Sequence, residues 1–371
     1  MIRRPDYLLL SLLAAIVAVG FVILTSASGP VAFQKFGDAY WYVKHQAIFG
    51  LIPGLFLFWI SARLDYRVWR RLATPILIVS LALLAAVFLP GIGAEWGTTR
   101  SWINIGGYSF QPAEFTKLAL LAYMAAWFDR RGERGFIDLS QGLLGFLAVL
   151  GLASIMIMLQ PDLGSFSVIG TMAVIVYFVA GAPWSHLAGL AVGGVALIGA
   201  LIKAAPYRAA RFMTFLHPEL DPRGVGYHIN QALLAIGSGG IVGLGLGHSR
   251  QKYLYLPEVV SDSIFAVMAE ELGFILTLAF LVLAAALILR CASIARRAPD
   301  RFGRLLVAGV CGWIFAQTIF NIGSMVGLLP LTGLPLPFVS YGGSALMVTL
   351  AAMGMVVNVS GQAVETVYKK G

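Results

Sequence analysis

The chain has 371 residues, of which 59% are hydrophobic and only 12% are charged, and its mean hydropathy is +0.85. Soluble proteins carry roughly 25% charged residues, so this composition excludes a soluble domain and predicts a polytopic membrane protein. The formal net charge of +9 indicates basic cytoplasmic loops rather than nucleic-acid binding, because the sequence has no aromatic-interleaved basic patch and no nucleic-acid motif.

Apolar segments of about the 20 residues that a membrane-spanning helix needs recur along the whole chain. In chain order they are residues 7–27, 44–61, 73–90, 113–129, 141–159, 164–181, 184–203, 264–289, 305–326 and 341–359. The first is too long for the apolar region of a signal peptide and is predicted as an uncleaved span. The sequence therefore predicts an all-α polytopic membrane protein with about ten transmembrane helices, built as a single integral membrane domain over residues 1–371.

Basic residues cluster in alternate connections, which predicts the orientation of the chain. With ten spans, one side receives Arg3, Arg4, Arg63, Arg67, Arg70, Arg71, Arg130, Arg131, Arg134, Arg290, Arg296, Arg297, Arg301, Arg304, Lys369 and Lys370. The positive-inside rule makes that side cytoplasmic, so both termini are expected inside. Cys291 and Cys311 fall at or in predicted spans, where they are expected to pack as small apolar residues.

Three loops fall on the opposite side, at residues 91–112, at about 204–263 between the seventh and eighth spans, and at 327–340. Long loops in compact proteins are usually functional or disordered. The largest has apolar residues at helical spacing between Gly and Pro breaks, which predicts short interfacial or re-entrant helices. Its segment GSGGIVGLGLG lacks the GxxxxGK[ST] pattern and follows no strand, so it is predicted as flexible or tightly packed backbone rather than a phosphate loop.

Glu114 and Lys117 open the fourth predicted span in the segment QPAEFTK. They are three residues apart on one helical face and can form an ion pair. Ionisable residues at the rim of a span are functional candidates by default. The pair either fixes helix packing or forms one wall of a polar cavity, and these two interpretations are compatible.

Polar residues also mark two other helix starts. Asp162, in QPDLG, is expected either to cap the sixth span, where the helix dipole favours an acid, or to line a polar cavity with Gln160. Ser340, in FVSYGG, is expected to cap the tenth span or to contact substrate.

Four acids surround the start of the eighth span in YLPEVVSDSIFAVMAEELG, residues 255–273. Asp262 is expected either to cap this span or to act as a general base at the mouth of a cavity. At a low-dielectric rim, the pKa of a carboxylate can rise toward a useful value. Glu258 is a candidate to orient substrate or a cation, while Glu270 and Glu271 are expected to pair with polar groups inside the bundle.

Taken together, five segments resemble the SEDS family (shape, elongation, division and sporulation), the membrane glycosyltransferases of bacterial cell-wall synthesis. In order they are GTTRSWINIGGYSFQPAEFTK, QPDLG, HPELDPRGVGYHINQALLAIGSGG, GLGLGHSRQKYLYLPEVVSDSIFAVMAEELG and LPLTGLPLPFVSYGGSA. The segments around FMTFLHPELDP and GLGLGHSRQKYLYLPE look more like the division branch, FtsW, than the elongation branch, RodA.

The resemblance implies polymerisation of lipid II, the undecaprenyl-diphosphate-linked disaccharide-pentapeptide, on the outer face of the bacterial cytoplasmic membrane. The position that matches the family's essential carboxylate is Asp262. Many members have His-Thr-Asp-Phe there and this chain has VVSDSIF, so the acid is kept while its neighbours differ. The donor sugar is α-linked to diphosphate and the product is a β-1,4 glycan, so the reaction inverts the anomeric carbon and Asp262 is the predicted base.

Further site residues are predicted to bind substrate. They are Arg100, Glu114, Lys117, Gln160, Asp162, Arg250, Lys252, Glu258 and Ser340. Four of them, Arg100, Lys117, Arg250 and Lys252, are candidates for the diphosphate. No cofactor motif is evident, and a divalent cation such as Mg²⁺ or Mn²⁺ stays open as an alternative. The resemblance also implies partners: a class B penicillin-binding protein, which is a transpeptidase, and other divisome or elongasome membrane proteins.

Two other function classes fit the composition. The first is a lipid II flippase or other lipid transporter, and the second is a non-catalytic scaffold of the cell-wall synthase complex. A transporter places its site near the bilayer midplane, whereas Arg100, Glu114, Asp162 and Asp262 are all expected toward the outer face. The position of these residues therefore favours the glycosyltransferase.

Overall fold

The computed structural model describes residues 5–96, 99–105, 108–132, 144–204, 206–217, 221 and 224–368, and the chain is mostly helical. The helices are α1 Tyr7–Phe36, α2 Trp41–Gln46, α3 Ile52–Arg63, α4 Arg67–Ala86, α5 Pro112–Arg131, α6 Gly145–Leu159, α7 Leu163–Val179, α8 Trp184–Ala204, α9 Pro206–Leu216, α10 Val225–Ser238, α11 Ile264–Arg296, α12 Arg301–Met325 and α13 Gly343–Tyr368. A π-helical turn, Ala47–Leu51, joins α2 to α3.

Within the described residues each predicted span overlaps a helix, and the second covers α2, the π-helical turn and α3 together. Six helical stretches of the described chain are long and apolar enough to cross a membrane. They are Tyr7–Phe36, Trp41–Arg63, Arg67–Ala86, Ile264–Arg296, Arg301–Met325 and Gly343–Ala363. Helices α6 and α7 and residues Trp184–Leu197 of α8 are shorter apolar helices. The prediction of a helical membrane protein is thus confirmed, while the count of ten spans stays a prediction.

The all-α prediction is wrong at one place. The connection before α5 contains a three-stranded antiparallel sheet formed by β1 Gly93–Trp96, β2 Thr99–Ile105 and β3 Tyr108–Phe110, in that order. Strand β2 has the sequence TRSWINI, rich in β-branched and aromatic residues that favour strands. Its Ser101 hydroxyl donates to the Gln160 carbonyl at 3.3 Å, which ties the sheet to the junction of α6 and α7.

Several of the basic residues predicted on one side meet acids at one end of the bundle. The ion pairs are Arg290–Asp6 at 2.6 Å, Arg70–Asp129 at 2.9 Å and Arg67–Asp300 at 3.1 Å. Asp6 and Asp300 also cap the starts of α1 and α12. The starts of α1, α4 and α12 and the ends of α5 and α11 therefore lie at the same end of the bundle.

The predicted large loop holds two short helices, α9 and α10, followed by turns up to Ser263. Its glycine-rich part packs against a break in α11 at Gly273, whose φ of 69° and ψ of −177° are not helical. This break frees the Glu270 and Glu271 carbonyls, which accept hydrogen bonds from Leu244 at 3.0 Å and Gly245 at 2.9 Å. A Cβ at Gly243 would overlap the Glu271 carbonyl, so of the two predicted alternatives this segment is tightly packed backbone.

Candidate functional site

Asp262 lies in a tight turn directly before α11, and the backbone of this turn is held from outside. Three successive carbonyls accept hydrogen bonds from α12 and from the segment before α13. Val260 accepts from the Tyr341 N–H at 2.8 Å, Ser261 from the Ser340 hydroxyl, and Asp262 from the Asn321 side-chain amide at 2.7 Å. Backbone anchored in this way keeps a side chain in one place, as a catalytic group requires.

The Asp262 carboxyl is only partly exposed, and its Oδ1 is buried without a hydrogen-bond partner among the described residues. Burial, assisted by the negative charge of Glu258, raises the pKa of Asp262 to about 7, although hydrogen bonds from Ser263 and the backbone oppose the rise. Ser263, not Asp262, occupies the N-cap position of α11. The carboxyl therefore fits the general-base prediction better than the capping prediction.

Glu258 lies in the same turn as Asp262. Its backbone is left-handed, with φ of 51°, and its carbonyl accepts from the N–H groups of Ser261 and Ser263 at 3.1 Å each. Non-glycine residues rarely hold this conformation, and it occurs preferentially at functional sites. The exposed Glu258 side chain accepts from the Ser261 hydroxyl at 2.8 Å, near enough to Asp262 for like-charge repulsion.

The prediction that Ser340 caps the tenth span is wrong, because α13 begins only at Gly343. The buried Ser340 hydroxyl instead accepts from the Leu336 N–H at 2.7 Å and donates to the Ser261 carbonyl. Gln46 holds the same segment by donating to the Ser340 carbonyl at 3.3 Å and accepting from the Gly342 N–H at 3.0 Å. Ser340 thus braces the turn that carries Asp262.

Glu114 and Lys117 form the predicted ion pair, with 2.7 Å between Lys117 Nζ and Glu114 Oε1, and both side chains are buried. Lys117 also donates to Gln317 Oε1 at 3.0 Å and lies 5.2 Å from the centre of the Trp313 ring. Gln317 in turn donates to the Pro335 carbonyl at 2.9 Å. The pair therefore joins α5 to α12 and to the segment before Ser340, while Glu114 Oε2 has no hydrogen-bond partner among the described residues.

Asp162 meets the start of α5, and Gln160 meets the end of α4. Asp162 caps α7 by accepting from the Ser165 N–H at 2.8 Å, as one of the two predictions had it, and its other oxygen accepts from Gln111 at 3.3 Å. The buried Gln160 amide donates to the Leu84 carbonyl at 3.1 Å. These contacts hold α4, α5, α6 and α7 together at the end of the bundle that carries the sheet.

Lys252 is buried and paired, with 2.8 Å between its Nζ and Glu271 Oε1. Ser26 of α1 completes this group, because its hydroxyl donates to Glu271 Oε2 at 2.5 Å. Glu270 accepts from the Ser249 hydroxyl and from the Arg250 N–H at 3.0 Å. Both glutamates are thus internal partners, as predicted. The Arg250 side chain is exposed beside this group.

Two predictions stay without a structural account. The side chain of Arg100 lies outside the described residues. The described residues contain no group of three or more His, Cys, Asp or Glu side chains that could hold a metal ion. The divalent cation therefore stays a prediction.

Comparison with known proteins identifies the family. The model of the FtsW/RodA/SpoVE family, described as cell cycle protein, matches residues 6–365. The chain belongs to the FtsW/RodA/SpoVE family. It is 39% identical to stage V sporulation protein E of Bacillus subtilis, over 96% of this chain and 97% of that protein. It is 38% identical to the probable peptidoglycan glycosyltransferase FtsW of Trichlorobacter lovleyi, over 97% of this chain and 95% of that protein.

The fold of this FtsW/RodA/SpoVE protein is also similar to a solved structure. A chain from a structure titled "Structural coordination of polymerization and crosslinking by a peptidoglycan synthase complex" superposes with a TM-score of 0.78 and 33% identity, over 97% of this chain and 98% of that one. Coverage of nearly the full length means that the helices around Asp262 belong to the shared fold.

Two residues of this family member were not singled out from the sequence. Asn321 donates to the carbonyls of both Asp262 and Leu334 at 2.7 Å, and His228 Nε2 lies 2.6 Å from Ser263 Oγ. Asn321 lies within a predicted span, where polar residues are functional candidates, so the sequence carried a signal for it. His228 gave no comparable signal, because it lies among other polar residues of the large loop.

Proposed function

We propose that this chain is a peptidoglycan glycosyltransferase that polymerises lipid II into β-1,4 glycan strands on the outer face of the bacterial cytoplasmic membrane, for cell division or elongation. The FtsW relatives carry the name of this activity. The observation that supports it most is the Asp262 carboxyl, partly buried, with an unpaired oxygen, on a turn held by three hydrogen bonds to its carbonyls. General bases work best when their pKa lies near the operating pH.

In the proposed reaction, Asp262 accepts the proton of the acceptor's 4-hydroxyl as that oxygen attacks the anomeric carbon of the donor. The bond from this carbon to the diphosphate breaks, the diphosphate leaves with the electron pair, and the configuration inverts from α to β. A general base contributes about 10²–10⁴-fold. Positioning of the two sugars and stabilisation of the leaving diphosphate supply the remainder.

Arg250 is the described residue that suits the diphosphate best, because its side chain is exposed beside the turns that lead to Asp262. Arg100 remains a second candidate. Lys117 and Lys252 are each paired with a buried glutamate, so either would have to exchange that carboxylate for diphosphate. We assign Glu258 to substrate orientation, Gln160 and Asp162 to the wall of the site, and Ser340 to the support of the Asp262 turn.

The proposed topology is a single integral membrane domain over residues 1–371, with ten spans in the cytoplasmic (inner) membrane, both termini inside and the loop of about 204–263 outside. Agreement between predicted spans and helices supports it, as does the meeting of basic connections at one end of the bundle. We further propose a class B penicillin-binding protein as partner, because the similar solved chain belongs to a complex that couples polymerisation to crosslinking.

Glu258 is expected to control the pH dependence of this reaction. Asp262 acts as a base only when it is deprotonated, so the rate should fall as the pH falls through about 7. Because the charge of Glu258 raises this pKa, Glu258→Gln should move the acidic midpoint of the pH–rate profile to lower pH. The size of this shift should be smaller at high salt, because salt screens the charge of Glu258. Initial polymerisation rates across the pH range measure the midpoint. A midpoint that rises in this variant would contradict the assignment of Asp262.

Reconstitution tests the proposed function against its two alternatives. The full-length protein, with and without its transpeptidase partner, is placed in liposomes containing fluorescent lipid II, and glycan strands are separated by gel electrophoresis. Polymer formed by the wild-type protein supports the glycosyltransferase. Lipid II that crosses the bilayer without forming polymer would favour a transporter, and a protein that does neither, yet stimulates its partner, would favour a scaffold.

A further inference from the structure

Ser263 occupies the N-cap position of α11 but does not cap the helix. A serine at this position normally accepts a hydrogen bond from one of the first free N–H groups of the helix. Here the side chain makes no such bond, although Ser263 is fully buried. Its hydroxyl lies 2.6 Å from Nε2 of His228 in α10. Ser263 also directly follows Asp262, and its side chain lowers the pKa of that carboxyl.

We propose that His228 and Ser263 form a hydrogen-bond relay behind Asp262 that sets the proton affinity of this carboxyl; the proposal rests on the proposed function, in which Asp262 is the base. With its proton on Nε2, His228 donates to Ser263 Oγ, and the hydroxyl hydrogen of Ser263 is then directed to the Asp262 carboxylate. Both residues are positioning residues, because neither touches the reacting atoms.

The relay explains why the N-cap position of α11 holds a serine whose side chain does not cap the helix. A hydrogen bond to a carboxylate stabilises its charged form and lowers its pKa, which opposes the effects of burial and of Glu258. Burial lowers the pKa of His228, although the charge of Glu258 opposes this, so the imidazole is neutral when Asp262 is ionised. A neutral imidazole has one N–H donor and one acceptor, which fits a fixed orientation of the hydroxyl.

The other groups around the relay are few within the described chain. Glu258, from the same turn, is the charged side chain whose field acts on both Asp262 and His228. Asn321 of α12 contacts the Asp262 carbonyl and does not titrate. Tyr42 of α2 lies in the field of Glu258, and a phenol, with an ordinary pKa of about 10, stays protonated in the range that concerns Asp262.

The test is the acidic midpoint of the pH–rate profile for lipid II polymerisation by the full-length protein. Ser263→Ala removes the donor to the carboxylate and should raise the midpoint by about one pH unit. His228→Leu leaves the hydroxyl unoriented and should raise it by less. His228→Gln keeps an N–H donor, and Ser263→Thr keeps the hydroxyl, so both should retain the wild-type midpoint and serve as matched controls.

A merely structural role for the two residues would lower the rate equally at every pH and leave the midpoint where it is. Unchanged midpoints in both Ser263→Ala and His228→Leu would therefore overturn the relay. Comparison with Asp262→Asn separates this failure from failure of the proposed function. If Asp262→Asn polymerises lipid II normally, both proposals fall. If it is inactive while the midpoints of the relay variants stay unchanged, only the relay is wrong.

Discussion

Replacing Asp262 with Asn is expected to slow glycan polymerisation by about 100-fold or more. Asn has nearly the same shape as Asp but does not accept a proton from the sugar hydroxyl at neutral pH. The turn should keep its conformation, because Tyr341, Ser340 and Asn321 bind backbone carbonyls, which the substitution does not alter. Initial rates with fluorescent lipid II at saturating concentration measure the loss.

The same substitution should not destabilise the protein, and above neutral pH it should stabilise it. The folded-state pKa of Asp262 is raised above its unfolded value of 3.8 to about 7. Between these values the folded state binds more protons than the unfolded state, so this carboxyl reduces stability progressively as the pH rises. Asn removes that effect, and the melting temperature of Asp262→Asn should exceed that of the wild type at about pH 8 but not at acidic pH.

A matched control separates catalysis from a general loss of negative charge. Asp38→Asn makes the same chemical change at a solvent-accessible carboxylate in the connection between α1 and α2, which pairs with Lys44 and accepts from the Tyr40 N–H at 3.0 Å. This control should polymerise lipid II at nearly the wild-type rate. A melting temperature of Asp262→Asn below the wild-type value at alkaline pH would contradict the burial of this charge, and full activity would remove Asp262 from the mechanism.

Contacts near in sequence account for the parts of the site that could be predicted. Glu114 with Lys117, and Asp162 with the Ser165 N–H, are pairs three residues apart, so helix geometry alone brings them together. Apolar runs likewise predicted the long helices, because burial in lipid requires them. The sheet before α5 was not predicted, since its strands are short and lie within a connection between helices.

Contacts distant in sequence account for the rest. Ser340 and Asn321 bind the Asp262 turn across 79 and 59 residues, and His228 reaches Ser263 across 35. Local pattern carries no information about such pairs, which depend on how helices pack and where α13 begins. Ser340 shows the consequence. A serine near a helix start is usually a cap, yet the Ser340 hydroxyl donates to the carbonyl of Ser261, which is distant in sequence.

Replacing Lys117 with Met is expected to destabilise the fold strongly, by about 3–5 kcal/mol. Met fills much of the same volume but leaves the Glu114 carboxylate buried, where Oε2 already has no partner among the described residues. The substitution also removes the donor to Gln317, which holds the Pro335 carbonyl. A large fall in melting temperature in detergent, together with a lower yield of folded protein, would be the measured result.

Two further variants determine whether the unpaired charge causes this loss. Glu114→Gln combined with Lys117→Met removes both charges and should recover most of the melting temperature, because a neutral amide is far less costly to bury than a carboxylate. Lys44→Met is the matched control: Lys44 and Asp38 are also 2.7 Å apart, but exposed, so water solvates the remaining carboxylate and the melting temperature should hardly change. If the double variant were no more stable than Lys117→Met, lost packing rather than an uncompensated charge would explain the effect, and α5 and α12 would be joined mainly by apolar contacts.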